Sequence, residues 1–157
     1  MIRVLFVCLG NICRSPMAEA VFRHKVREAG LSDQIEVDSA GTAEWHTGKP
    51  PHEGTREKLD EYQITYEGMV ARQVHLNDFS SFHYILGMDD QNIENMEANF
   101  SIIRDDMMFC RLMELIDNPK EVNVPDPYFT GNFDYTYELI QEACDVLLEK
   151  IRKENNI

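Results

Sequence analysis

The sequence predicts an α/β fold: a single domain with a four-stranded parallel sheet, helices on both faces, and a ligand loop after the first strand. Three observations predict it. Apolar β-branched runs alternate with stretches of helical spacing, the order that builds a parallel sheet through right-handed crossovers. The first run, Ile2–Cys8, is apolar apart from Arg3, the mark of a strand buried on both faces. The chain's 157 residues, 43% hydrophobic and 27% charged, suit one domain with a core of its own.

Gly10-Asn11 breaks the first strand. Residues 16–29 then read as a helix, with Pro16 at its favoured first position, a buried stripe of Ala18, Phe22, Val26 and Ala29, and Gly30 as its C-terminal cap. Residues 35–39 form the second strand, stopped by Gly41, and residues 42–51 form a loop holding Gly48, Pro50 and Pro51. A weaker helix covers 52–62, and the third strand covers 82–88. Asp89 or Asp90 caps a helix that buries Ile93, Met96 and Phe100. Residues 107–115 read as the fourth strand, and 118–132, with three prolines, as a loop. The last helix, 133–152, has the clearest stripe: Ile140, Ala143, Cys144, Leu147, Leu148 and Ile151.

Charge and cysteine usage narrow the function. Fifteen Lys and Arg against 28 Asp and Glu give a net charge of −13, which argues against nucleic acid and anionic membranes as partners. The apolar run 4–9 is too short to span a bilayer and lacks a basic start, so the cytoplasm is the expected location. Cys8, Cys13, Cys110 and Cys144 have no zinc-type spacing and the five histidines form no metal pattern, so neither metal nor cofactor is expected. Cys110 and Cys144 lie on apolar stripes and read as core, as do the methionines. Glu19 reads as a first-turn acid favoured by the helix dipole, and Asp89 as a cap with at most a bracing role. His46 and the other histidines read as ordinary surface or core residues.

The loop Cys8-Leu9-Gly10-Asn11-Ile12-Cys13-Arg14-Ser15 stands where parallel sheets bind ligands, beyond the carboxyl end of a strand. Five residues separate Cys8 from Arg14, enough to curl around one tetrahedral anion. Gly10 allows close backbone approach, and Asn11 tolerates the positive φ such a ring needs. Successive N–H groups then make a nest, Arg14 adds a planar fork, and the following helix adds its positive end. The same field favours a thiolate at Cys8. Ser15 either caps the helix or donates to the Cys8 sulfur. Cys13 is either a small packing residue or a thiol that traps oxidised Cys8. Trp45, in a Gly/Pro-rich loop, reads as a pocket wall.

The nonamer from Cys8 to Pro16 resembles the phosphate-binding loop of the low-molecular-weight protein tyrosine phosphatases. The likeness continues through Met17-Ala-Glu-Ala-Val-Phe22, Val37-Asp-Ser-Ala-Gly41, Ala71-Arg-Gln73, Tyr84-Ile-Leu with Met88-Asp89, and Asp126-Pro127-Tyr128, essentially the whole chain. The resemblance implies metal-independent hydrolysis of protein phosphotyrosine and small aryl phosphates, with phosphate as product. Cys8 would be the nucleophile, Arg14 the phosphate clamp, and Asp126 the general acid and then the base. Leu9, Gly10, Asn11, Ile12, Cys13 and Ser15 would bind substrate beside the walls Trp45 and Tyr128, while Asn11, Ser15 and Ser39 would brace the loop. The sequence leaves the oligomeric state open, with a monomer as the default. Two positions depart from the family pattern: Met69 stands where relatives often carry a His linked to the loop Asn, and Tyr128-Phe129 replaces a frequent pair of tyrosines.

Other functions compete. A thiol-dependent arsenate reductase needs relay cysteines, and none lies between Cys13 and Cys110. A protein arginine phosphatase tends to have Thr where this loop has Ile12, whose apolar bulk suits a flat aromatic ring better than a guanidinium. A non-catalytic phosphotyrosine module would not need both Cys8 and Asp126, and a phosphocysteine carrier would not need Arg14.

Overall fold

Strand β1, Ile2–Cys8, runs through the middle of the molecule. The structure, a computed structural model, describes residues 1–101 and 105–157. Val4, Leu5, Phe6 and Val7 of β1 are wholly buried because the strand is covered on both faces. Val4, Phe6 and Cys8 share one core with α1 (Arg14–Glu28) and α6 (Phe133–Asn155). Leu5 and Val7 point the other way, to Phe79 of α3 (Asp78–Ser81) and Met96 of α4 (Asp90–Asn99). Each such side chain contributes about 1.5–3 kcal/mol relative to exposure.

Strand β2 (Ile35–Gly41) pairs along the whole of β1, from Ile2 opposite Ile35 to Cys8 opposite Gly41. Strand β3 (Tyr84–Gly87) pairs on the other side, and β4 (Met108–Arg111) adds to β3. The order β2-β1-β3-β4 is parallel throughout, as the alternating elements predict. The neighbours of β1 lie on opposite sides of it, so its carboxyl end is a topological switch point. The loop after Cys8 emerges there. It packs so closely on β2 that a Cβ on Gly41 would lie 2.8 Å from the Leu9 carbonyl and 3.1 Å from the Asn11 nitrogen.

Several boundaries differ from the sequence reading. The fourth strand stops at Arg111, and Leu112–Leu115 forms a 3-10 turn closed by Glu114 accepting the Arg111 N–H at 2.7 Å. Leu112 and Met113 are buried all the same. A short apolar run reports burial without distinguishing a strand from a turn. The third strand is shorter because the Phe82 N–H goes to Asp78 O, closing α3. Helix α2 is Glu53–Glu61, with the His52 ring accepting from Gly54 N. The proline loop contains α5 (Pro127–Thr130), capped by Asp126 and ended by Gly131 at φ 74°. Cys110 is only partly buried, whereas Cys144 is wholly buried. Among the described residues no helix is long and apolar enough to cross a membrane.

Candidate active site

The loop is held from outside by its carbonyls. Thr42 N donates to Cys8 O and Ala43 N to Leu9 O, both at 2.9 Å, as the chain leaves β2. His52 N donates to Ile12 O at 2.7 Å, and the Thr55 hydroxyl to Cys13 O at 3.2 Å. The N–H groups of Gly10, Asn11, Ile12 and Cys13 make no backbone bond among the described residues. Carbonyls tied outward and unbonded amides in one turn make a nest for an anion.

Asn11 makes the turn possible. It takes φ 56°, the left-handed region that Asn tolerates better than most residues. Its side chain is buried and fully used. Nδ2 donates to Ser15 Oγ at 2.7 Å and to Ser39 Oγ at 3.0 Å, and Oδ1 accepts from Arg72 N at 3.0 Å. Arg72 is itself held by Asp38 and Asp78. Met69, which departs from the family pattern, packs against the core, and the N–H of Arg72 supplies a donor to Asn11.

Ser15 does not cap the helix. Helix α1 begins at Arg14 with no side-chain cap, and the Ser15 hydroxyl lies 3.0 Å from Cys8 Sγ. Asn11 already donates to that hydroxyl, so its own proton is left for the sulfur or for the Ala40 carbonyl, which is farther away at 3.4 Å. The side chains of Asn11 and Ser15 thus sit behind the cleft, so any contact of Asn11 with an anion would be made by its backbone N–H.

Arg14 is 2% exposed. Nη1 donates to Asp89 Oδ2 at 2.6 Å and to Val124 O at 3.0 Å, while Nη2 lies 3.4 Å from Asp126 Oδ2. Nε is buried without a partner among the described residues. A guanidinium has five donor hydrogens. Nη1 is fully used, so the Nε–Nη2 edge is the one left for a pair of anion oxygens. Burial opposes the charge of Arg14, but Cys8, Asp89 and Asp126 outweigh it and raise its hold on its proton. Asp89 also caps α4 by accepting from Asn92 N. Its short bond makes it the anchor of Arg14, more than the cap the sequence suggests. The longer contact leaves Asp126 less engaged. Asp126 Oδ1 accepts Tyr128 N–H at 3.0 Å, which fixes the carboxylate and leaves Oδ2 for other work.

A cleft of about 280 Å³ is lined by Cys8, Leu9, Gly10, Ile12, Cys13, Arg14, Trp45, His46, Asp126, Tyr128 and Phe129. Trp45 and Phe129 are 68% and 77% exposed at its mouth. His46 was not legible as a site residue: a lone histidine carries no signal, yet its ring packs so near Gly10 that a Cβ there would lie 2.9 Å from it. Glu19 corrects another expectation. It is 5% exposed, pairs with Arg23 and accepts from Ser39, behind the loop rather than at a helix end. Burial pushes the Cys13 thiol up to about 12, with Cys8 and Asp126 adding to the shift. Burial also pushes Cys110 up to about 11 and raises Cys144.

Comparison with known proteins places this arrangement. The chain belongs to the low molecular weight phosphotyrosine protein phosphatase family, whose profile matches residues 3–157. It is 46% identical over 157 residues to the low molecular weight protein-tyrosine-phosphatase YfkJ of Bacillus subtilis, covering all of both chains. The crystal structure of YfkJ superposes with a TM-score of 0.93 at 47% identity, covering 98% of this chain and 96% of that one. PtpA of Staphylococcus epidermidis, with the same description, is 45% identical over all of this chain and 98% of its own. A Drosophila arginine phosphatase matches at 32% identity and a TM-score of 0.86, covering 95% and 97%. The chain is accordingly an enzyme, a protein-tyrosine phosphatase of the hydrolase class.

The donor count of Arg14 gives a direct expectation. In Arg14→Lys one ammonium cannot serve Asp89, the Val124 carbonyl and two anion oxygens together. Competitive inhibition by inorganic phosphate should weaken at least about tenfold. An unchanged inhibition constant would show that the guanidinium edge does not hold the anion.

Proposed function

We propose that this chain hydrolyses phosphotyrosine in proteins, and small aryl phosphates, without metal and through a phosphocysteine at Cys8. The observation that carries the reading is the unpartnered Nε of Arg14, with Nη2 held only by a 3.4 Å contact to Asp126, beside the Cys8 sulfur and a loop whose amides at residues 10–13 have no backbone partner among the described residues. These donors suit the three oxygens that carry charge as phosphorus is transferred.

Cys8 Sγ attacks phosphorus in line, the bond to the phenol oxygen breaks, and Asp126 Oδ2 gives that oxygen a proton. Water then attacks the phosphocysteine, Asp126 takes its proton, and the phosphorus–sulfur bond breaks with the electron pair returning to sulfur. The Ser15 hydroxyl steadies the departing thiolate. Trp45, His46, Tyr128 and Phe129 offer apolar walls to a phenyl ring, and Ile12 adds to them. That lining favours an aromatic leaving group over the guanidinium of phosphoarginine.

The test compares variants on a phosphotyrosyl peptide in metal-free buffer, with a phosphoarginyl peptide as the rival substrate. Cys8→Ser should abolish turnover yet bind phosphate. Asp126→Ala should slow phosphorylation of the enzyme by about 10²–10⁴-fold, and progressively less as the leaving phenol becomes more acidic. Near-normal turnover by Cys8→Ser would remove Cys8 as nucleophile, and preference for phosphoarginine would make this an arginine phosphatase.

We also infer that Cys13 protects Cys8. Peroxide converts the Cys8 thiolate to sulfenic acid, and the Cys13 sulfur displaces water from it to form a disulfide. The two residues line the same cleft, and Cys13 itself stays a thiol at neutral pH. Peroxide inactivation should be reversed by thiol reductant in the wild type and become irreversible in Cys13→Ser. Full recovery in the variant would rule Cys13 out.

A further inference from the structure

Behind the loop, on the side away from the cleft, runs a chain of hydrogen bonds between side chains that are all at least nine-tenths buried. It begins at the carboxylate of Glu19 on α1. Ser39 Oγ donates to Glu19 Oε1 at 2.6 Å, and Asn11 Nδ2 donates to Ser39 Oγ at 3.0 Å. The same Nδ2 donates to Ser15 Oγ at 2.7 Å, and Ser15 Oγ meets Cys8 Sγ at 3.0 Å. The second oxygen of Glu19 is taken by Arg23, which also donates to Val37 O at 2.8 Å.

Counting protons fixes the direction of the bonds that join Arg72, Asn11, Ser39 and Glu19, and of the bond from Asn11 to Ser15. A backbone N–H can only donate, so Arg72 N settles which end of the Asn11 amide is oxygen and turns both Nδ2 hydrogens toward the serines. A serine has one hydrogen to give. Ser39 gives it to Glu19, which leaves a lone pair for Asn11. Ser15 receives from Asn11, and its one hydrogen has two acceptors in reach, Cys8 Sγ at 3.0 Å and the Ala40 carbonyl at 3.4 Å, of which the sulfur is the nearer. With Glu19 accepting the Ser39 hydrogen, every donor from Arg72 N to Ser39 Oγ has a partner.

We propose that Glu19 is a positioning residue for the reaction: by accepting the Ser39 proton it holds Asn11, and through Asn11 the Ser15 hydroxyl, on the Cys8 sulfur as the phosphocysteine breaks down. The inference rests on the phosphocysteine reading above. It concerns the second step, in which water attacks phosphorus, its proton goes to Asp126, and the electron pair of the phosphorus–sulfur bond returns to Sγ. A hydroxyl aimed at sulfur stabilises the thiolate as it leaves. It does not help that thiolate attack in the first step. Burial raises the Glu19 carboxyl while Arg23 and Ser39 pull it back; the Arg23 ion pair and the Ser39 hydroxyl both favour the accepting form.

Glu19→Gln keeps the volume and reverses the acceptor. Arg23 can only donate and claims the amide oxygen, which turns the NH2 toward Ser39. Ser39 then holds a buried hydrogen with no acceptor unless it turns away from Asn11.

The test is rapid-mixing kinetics with p-nitrophenyl phosphate, with acid-quench mass spectrometry to count phosphoenzyme. Glu19→Gln should keep the burst rate within about twofold and slow the post-burst rate by about three- to tenfold, with KM falling nearly in proportion and kcat/KM little changed. In a Ser39→Ala background, where the link is already cut, adding Glu19→Gln should change the post-burst rate by less than about twofold. Should Glu19→Gln fail to fold, Ser39→Ala alone should show the same split between burst and post-burst rates. Equal loss of both rates, or the same fold loss in both backgrounds, would overturn the relay while leaving phosphocysteine intact. Absence of any phosphoenzyme in the wild type would instead overturn the phosphocysteine reading and this inference with it.

Discussion

The loop depends on one side chain, the amide of Asn11. A ring of inward-facing N–H groups requires a left-handed residue near its middle, and that conformation is uphill for most side chains. Asn11 accepts it at φ 56° and spends its hydrogen-bonding groups on three anchors: Ser15, Ser39 and Arg72. Burying an amide without partners would cost a few kcal/mol, whereas with every group paired the same amide becomes a rigid post. The nest, the aim of Ser15 and the seat of Cys8 all follow from it.

Arg14 answers a second problem: how a protein of net charge −13 builds an anion site. Net charge acts over long distances through screening water, but the cleft is governed by groups within a few ångströms. Burying a guanidinium is unfavourable unless it is paired and hydrogen-bonded. Asp89 and the Val124 carbonyl meet that need from one side. The acidic residues that repel an anion globally therefore supply the partner that keeps a cation fixed locally. The two carboxylates divide their work by distance, 2.6 Å for the anchor Asp89 and 3.4 Å for Asp126.

The alternation of elements, the four parallel strands and the loop after β1 were legible because each carries a periodic or punctuation signal. That Cys8, Arg14 and the loop between them meet in one cleft was legible because residue type and spacing together state a chemical need. The end of β4 was not, since Leu112 and Met113 are buried in a turn as deeply as a strand would bury them. Glu19 looked like a helix-end acid, because nothing local reveals that β2 brings Ser39 to meet it. Asp89 looked like a cap and is one, but its second oxygen reaches Arg14 across 75 positions of sequence. His46 and Phe129 reached the cleft through the path of their loops, which sequence pattern does not encode. What escaped the sequence was long-range pairing of polar side chains.

The central claim is that one anion sits on the loop amides and the free edge of Arg14, with the Cys8 sulfur in line with its central atom. The most direct measurement is a crystal structure with orthovanadate. The account predicts vanadium bonded to Cys8 Sγ, equatorial oxygens within hydrogen-bond distance of Arg14 Nε and Nη2 and of the N–H groups of residues 10–13, and the apical oxygen beside Asp126 Oδ2. Vanadate bound away from Cys8, or held without the Nε–Nη2 edge, would contradict it.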